Sequence, residues 1–115
     1  MSRRDLILLL EDMFESASKI KRYTVNLDYE SFITDDKTID AVVRNFEIIG
    51  EAANRIDPDY RILISDIEWN RMRGLRNRIV HDYFGIDYEI VWTIIENDLS
   101  DLIAQLELLI KNHTE

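Results

Sequence analysis

The 115-residue chain contains no cysteine, one proline, three glycines and two histidines. Without cysteine there is no disulfide framework and no thiolate metal site, a composition that fits a reducing cytosol. With so few glycines and prolines the chain has few places to turn sharply, which argues for a few long helices and against a hairpin-rich β fold. No apolar run approaches the roughly 20 residues of a membrane span. The longest candidate, the LILLL of residues 6–10, is followed at once by Glu11 and Asp12. It is too short for a secretory signal and reads as part of a mature helix. Positive charge is also scarce: 14 lysines and arginines stand against 23 aspartates and glutamates, a formal net charge of −9. A generic nucleic-acid coat protein would be basic. The deficit does not exclude local RNA binding, because against an acidic background a compact group of arginines marks where a polyanion can be held.

What is present is helical periodicity. Ser2 and Asp5 form a helix start of capping-box type. Beyond them Leu6, Leu9, Leu10, Met13, Ala17 and Ile20 recur at steps of three and four, predicting a first helix to about Tyr23. Asp28 is placed to cap a short turn carrying Tyr29 and Phe32, and Asp35 or Asp36 to cap a second helix. In that helix Ile39, Val42, Phe46, Ile49, Ala53 and Ile56 repeat, and the small residues Gly50, Ala52 and Ala53 suggest a close neighbour. Asp57-Pro58-Asp59 ends the element, and residues 60–65 read as a connector or short turn. A third helix, capped by Asp66, carries Trp69, Met72, Leu75 and Ile79. Gly74 within it costs roughly 1 kcal/mol relative to alanine and marks tight packing. Asp87 caps a last helix, from about Tyr88 to Ile110, with Val91, Ile95, Leu99, Leu102, Leu106 and Leu109 as its stripe. There is no internal repeat or linker. The expected fold is all-α, an antiparallel bundle of four to five helices in a single domain over residues 1–115.

One stretch stands apart. Arg71 to Tyr83, RMRGLRNRIVHDY, holds four arginines within eight positions, then a histidine and a tyrosine. On a continuous helix Arg73, Asn77 and His81 stack along one face at i, i+4 and i+8. Arg76 and His81, five apart, diverge by about 140°. They meet on one ligand if the helix ends near His81, or if a second molecule completes the site. Composition and spacing leave a structural reading open: basic residues in the last turns favour the helix dipole, and surface arginines pair with nearby carboxylates.

The order of the residues adds to this. Arg76-Asn77-Arg78-Ile79-Val80-His81-Asp82-Tyr83 resembles the R-x4-H-x-Y signature of the HEPN superfamily, in particular its HepT-like toxins. The stretches FEIIGEAANRI at 46–56 and WNRMRGLRN at 69–77, the Phe84-Gly85-Ile86-Asp87 tail and Val91-Trp92 are similar as well, so the resemblance covers nearly the whole chain. It implies a HEPN-like bundle and a cytoplasmic toxin of a type II/VII-like toxin–antitoxin pair, cleaving RNA without metal or other cofactor. It also implies an MNT-type nucleotidyltransferase as antitoxin, able to adenylylate the motif tyrosine, Tyr83.

The residue chemistry fits such an activity. Attack of a ribose 2′-OH on the adjacent phosphate needs a base of near-neutral pKa, an acid for the leaving oxygen and a cation for the extra phosphoryl charge. His81 suits the proton transfers, and Arg76 suits the clamp through bidentate hydrogen bonds. Asn77 and Arg73 are the supporting residues on the same helix. One chain supplies one motif histidine, since His113 lies in a tail expected to fray. Base plus acid then requires two copies, which predicts a twofold homodimer with a composite cleft. His81 with Asp82 and Asp87 matches no established metal-ligand spacing, and no metal site is expected. The competing readings are a catalytically inactive helical binding module that docks a nucleotidyltransferase and serves as its substrate, and a purely structural dimer.

Overall fold

The structure, a computed structural model, describes residues 1–81, with His81 by its backbone alone, and 85–114. The elements in chain order are helices α1 (Arg3–Thr24), α2 (Tyr29–Ile33), α3 (Asp36–Arg55), α4 (Pro58–Leu63), α5 (Trp69–Arg73) and α6 (Leu75–Ile79). They continue with the short strands β1 (Val80–His81) and β2 (Gly85–Ile86), then α7 (Tyr88–Asn97) and α8 (Leu99–Thr114). The all-α class holds: eight helices and one two-residue ladder make up the described regular structure.

Short polar side chains start most of these helices, because the first amides of a helix have no partner of their own. The Ser2 hydroxyl accepts from the Asp5 amide at 3.0 Å while the Asp5 carboxylate accepts from the Ser2 amide at 3.3 Å, a complete capping box. Asp28 accepts from the Ser31 amide at 2.8 Å, Asp35 from Thr38 at 3.1 Å and Asp87 from Ile90 at 3.1 Å. Asp57 accepts from Asp59 at 2.9 Å. The Asp-Pro-Asp segment therefore starts a helix as well as ending one. Pro58 sits in the first turn of α4, where its missing amide hydrogen costs nothing.

The amphipathic stripes face one core. Leu6, Leu10, Met13, Ala17 and Ile20 of α1 are fully buried, and they meet the buried stripe of α3 and Leu102, Leu106 and Leu109 of α8. α1 lies against both α3 and α8, α5 and α6 against α3, and α7 against α8 and α6. Phe32 of α2 closes one end, its ring 5.2 Å from that of Trp92. At Gly50 α5 passes close to α3: a Cβ there would stand 3.2 Å from the Met72 carbonyl oxygen. The expected close neighbour at Gly50 is thus α5.

Five expectations need correction. The third helix is not continuous: it breaks at Gly74 into α5 and α6 and ends at Ile79. Gly74 marks that break; a Cβ there would meet only the Asn70 carbonyl of the preceding turn, 3.3 Å away, and no neighbouring helix. Asp66 is not its cap, because α5 starts three residues later, at Trp69, with Glu68 at the cap position making no side-chain cap bond. The last helix is two, divided at Asp98 between α7 and α8. His113 is not in a frayed tail. It lies in the last turn of α8, and its carbonyl accepts from Arg3 Nε at 2.6 Å, tying the C-terminal turn to the first turn of α1.

Candidate functional site

The arginine-rich stretch lies on α5 and α6, seated against the C-terminal half of α3. Buried Met72, Leu75 and Ile79 anchor it to the core, so the residues between them face outward. The four arginines have different fates. Arg71 is held by two carboxylates, Glu68 at 2.8 Å and Asp98 at 3.4 Å. The Glu68 hydrogen bond and then the Asp98 charge raise its pKa above the ordinary guanidinium value. This is the structural pairing that composition alone allows. Arg73 donates its Nε to the side-chain oxygen of Asn54, a neutral partner on α3, at 2.8 Å. Arg76 and Asn77 are exposed, and Arg78 is half-buried. None of these three has a side-chain hydrogen bond or ion pair within the described structure.

Helix α6 ends early for a local reason. Val80 adopts φ −119° and ψ 120°, an extended conformation, while its amide still bonds the Arg76 carbonyl. Val80 and His81 then pair antiparallel with Ile86 and Gly85, and the Asp87 amide donates to the Ile79 carbonyl at 2.7 Å. Gly85, at φ 75°, occupies the left-handed region that favours glycine. The helical stacking of Arg73, Asn77 and His81 on one face is therefore not formed. Only Arg73 and Asn77 lie in helices, and His81 follows in extended backbone. The 140° divergence of Arg76 and His81, a property of a continuous helix, no longer applies. The side chain of His81, together with Asp82, Tyr83 and Phe84, lies outside the described residues.

Asn54 was not legible from spacing. It stands 19 residues before Arg73, and nothing local distinguishes it from any other asparagine near a helix C-terminus. Among the described residues no group of three or more histidines, aspartates or glutamates is placed to hold a metal ion. Nor is any described helix long and apolar enough to cross a membrane.

Residues 13–109 match the protein family described as Ribonuclease HepT-like. The chain belongs to the HepT-like family. A Methanocaldococcus jannaschii protein named "Putative RNase" is 39% identical over 109 residues, covering 95% of this chain and 100% of its own. The "Probable ribonuclease HepT" of Thermococcus cleftensis is 37% identical over 102 residues, 89% of this chain and 93% of its own. A "Putative RNase" of Caldanaerobacter subterraneus is 28% identical over 102 residues, 89% of this chain and 91% of its own. No solved structure matches the chain. The HepT-like match runs from within α1 to within α8, so it takes in the α5–α6 stretch, the β1–β2 ladder and the α3 face behind them.

Proposed function

We propose that this chain is an RNA endonuclease, the toxin of a type II/VII-like toxin–antitoxin pair, cleaving without a metal ion through Arg76 and His81. The observation that carries the reading is the state of Arg76. In a chain of net charge −9 it is exposed, has no carboxylate partner among the described residues, and lies on the last turn before the backbone opens toward His81. A guanidinium left unpaired in such surroundings is available for a phosphate. Membership of a family described as ribonucleases supports the same reading.

In the proposed reaction the imidazole of His81 takes the proton of a ribose 2′-OH. The freed oxygen attacks the adjacent phosphorus, and the bond to the 5′-oxygen breaks. The leaving oxygen takes a proton from the imidazolium of His81 in a second copy, giving a 2′,3′-cyclic phosphate and a 5′-hydroxyl. Arg76 holds the phosphoryl oxygens while their charge grows, and Asn77 orients the RNA backbone. Two histidines from two chains make the site a composite across a homodimer dyad.

Neutralisation is assigned to an MNT-type nucleotidyltransferase antitoxin that adenylylates Tyr83. The added phosphate and purine would occupy the guanidiniums that otherwise bind RNA. The absence of cysteine in this chain suits action in the reducing cytoplasm.

The test is cleavage of a labelled oligoribonucleotide by the purified chain in EDTA, with products identified by mass spectrometry. Arg76→Ala and His81→Ala, with circular dichroism unchanged, are each expected to lose about 10²-fold or more in rate. Full activity in either variant removes the proposed role. An active monomer in light scattering removes the composite site, and a Tyr83→Phe chain still neutralised through modification removes the switch.

A further inference from the structure

Asn54 and Gly50 are one helical turn apart, so they share a face of α3. At Gly50 the missing side chain lets the C-terminal end of α5 lie close: a Cβ there would be 3.2 Å from the Met72 carbonyl oxygen and 3.8 Å from that of Arg73. From this fixed backbone the Arg73 side chain runs along the same face, and its Nε meets the Asn54 side-chain oxygen at 2.8 Å. The bond uses the lateral nitrogen of the guanidinium. The two terminal nitrogens, which form the fork that matches a phosphate, have no partner in the described structure.

The partner's chemistry matters as much as its position. Arg71, on the same helix, is held by Glu68 and Asp98, which cancel its charge. Asn54 is neutral: it fixes the orientation of Arg73 and leaves the positive charge uncompensated. An arginine stapled in place yet not neutralised, three residues from the unpaired Arg76, is pre-organised for an anion.

We propose that Asn54 is a positioning residue that holds Arg73 as a second phosphate-binding guanidinium, for an RNA phosphate flanking the one that is cleaved. The inference rests on the ribonuclease reading for its substrate. Arg73 lies on α5, before the Gly74 break, whereas Arg76 lies on α6, and the flanking phosphate is assigned to the arginine on the helix more distant from β1 in chain order. It binds that phosphate equally in the ground and transition states, so its effect falls on KM and leaves kcat unchanged.

The probe is a short, fluorescein-labelled 2′-O-methyl oligonucleotide, which lacks the attacking hydroxyl and stays intact, titrated by anisotropy over a range of KCl concentrations. Arg73→Ala is expected to weaken binding about tenfold and to lower the slope of log affinity against log salt by about 0.7, one single-strand phosphate contact. Asn54→Ala keeps the charge and loses the orientation, so affinity falls roughly two- to tenfold at an unchanged slope. Asn54→Asp keeps a hydrogen-bond acceptor but cancels the charge. It should melt no lower than wild type and yet bind as poorly as Arg73→Ala, with the smaller slope. On cleavable RNA, Asn54→Ala should raise KM and spare kcat. Wild-type affinity in Asn54→Asp, or affinities that simply follow melting temperature, overturns the inference. If these binding differences appear but no RNA is cleaved, the ribonuclease reading fails and the positioning role stands. If cleavage depends on Arg76 and His81 while the Asn54 variants bind as wild type, the positioning role fails alone. A wild-type chain that binds no oligonucleotide refutes both.

Discussion

Replacing Gly50 tests how α5 is set against α3, and with it the placement of the arginines. In a helix interior, glycine to alanine gains about 1 kcal/mol of backbone propensity. Opposing this, the new methyl would stand 3.2 Å from the Met72 carbonyl oxygen, inside ordinary contact. That oxygen is backbone and cannot swing aside. It also accepts from the Gly74 amide at the α5–α6 break, so its retreat disturbs the junction before Arg76. Overpacking of a close-packed interior costs about 1–3 kcal/mol, leaving Gly50→Ala destabilised by about 0–2 kcal/mol. Gly50→Val adds two more carbons and has poorer propensity, and it should lose about 2–4 kcal/mol. At roughly 4 °C per kcal/mol for a chain of this size, thermal unfolding by far-ultraviolet circular dichroism resolves the two variants. An alanine variant about 1 kcal/mol more stable than wild type, or a valine variant no worse than alanine, would show that α5 yields freely. The close approach would then have no role in fixing the site.

Two further outcomes are expected. The cap carboxylates Asp28 and Asp35 lie below their ordinary pKa of 3.8, through the Ser31 backbone amide and the Thr38 hydroxyl respectively. Their stabilisation is present above 3.8 and is lost as pH falls through the lower folded values. Asparagine caps as well as aspartate without titrating, so an Asp28→Asn, Asp35→Asn chain should show a shallower decline of melting temperature below pH 3.8; equal declines would refute the assignment. Buried Trp69 donates its indole N–H to the buried Ile64 carbonyl at 2.7 Å. Trp69→Phe leaves that oxygen unpaired and should cost about 1–3 kcal/mol in urea unfolding; an unchanged midpoint would mean the carbonyl finds another donor.

The parts legible in the sequence are those whose physics is local. A cap bond spans two or three residues, so Ser2, Asp28, Asp35 and Asp87 announce their helices wherever the rest of the chain goes. The core stripe of α1 and α3 is equally plain, because a residue's face on a long helix follows from 3.6 residues per turn. Leu9 and Ile95, expected in the core, are only partly buried, and Ile94, not expected, is 3% exposed. The break at Asp98 resets the helical phase, which a single continuous stripe does not foresee.

By itself the sequence determined the all-α bundle, the family and the order of Arg76, His81 and Tyr83, since each follows from composition, period or motif. Only the three-dimensional structure decided where the third helix stops and which arginines keep an uncompensated charge. Val80 leaves the helix in a segment where its strand pairs with Ile86 and Gly85. Arg71 is neutralised in part by Asp98, 27 residues away, while Arg73 is held by neutral Asn54, 19 residues before it. The helix ends on a short-range ladder, but charge pairing at this site depends on partners remote in the chain, and such partners meet only when the fold is complete.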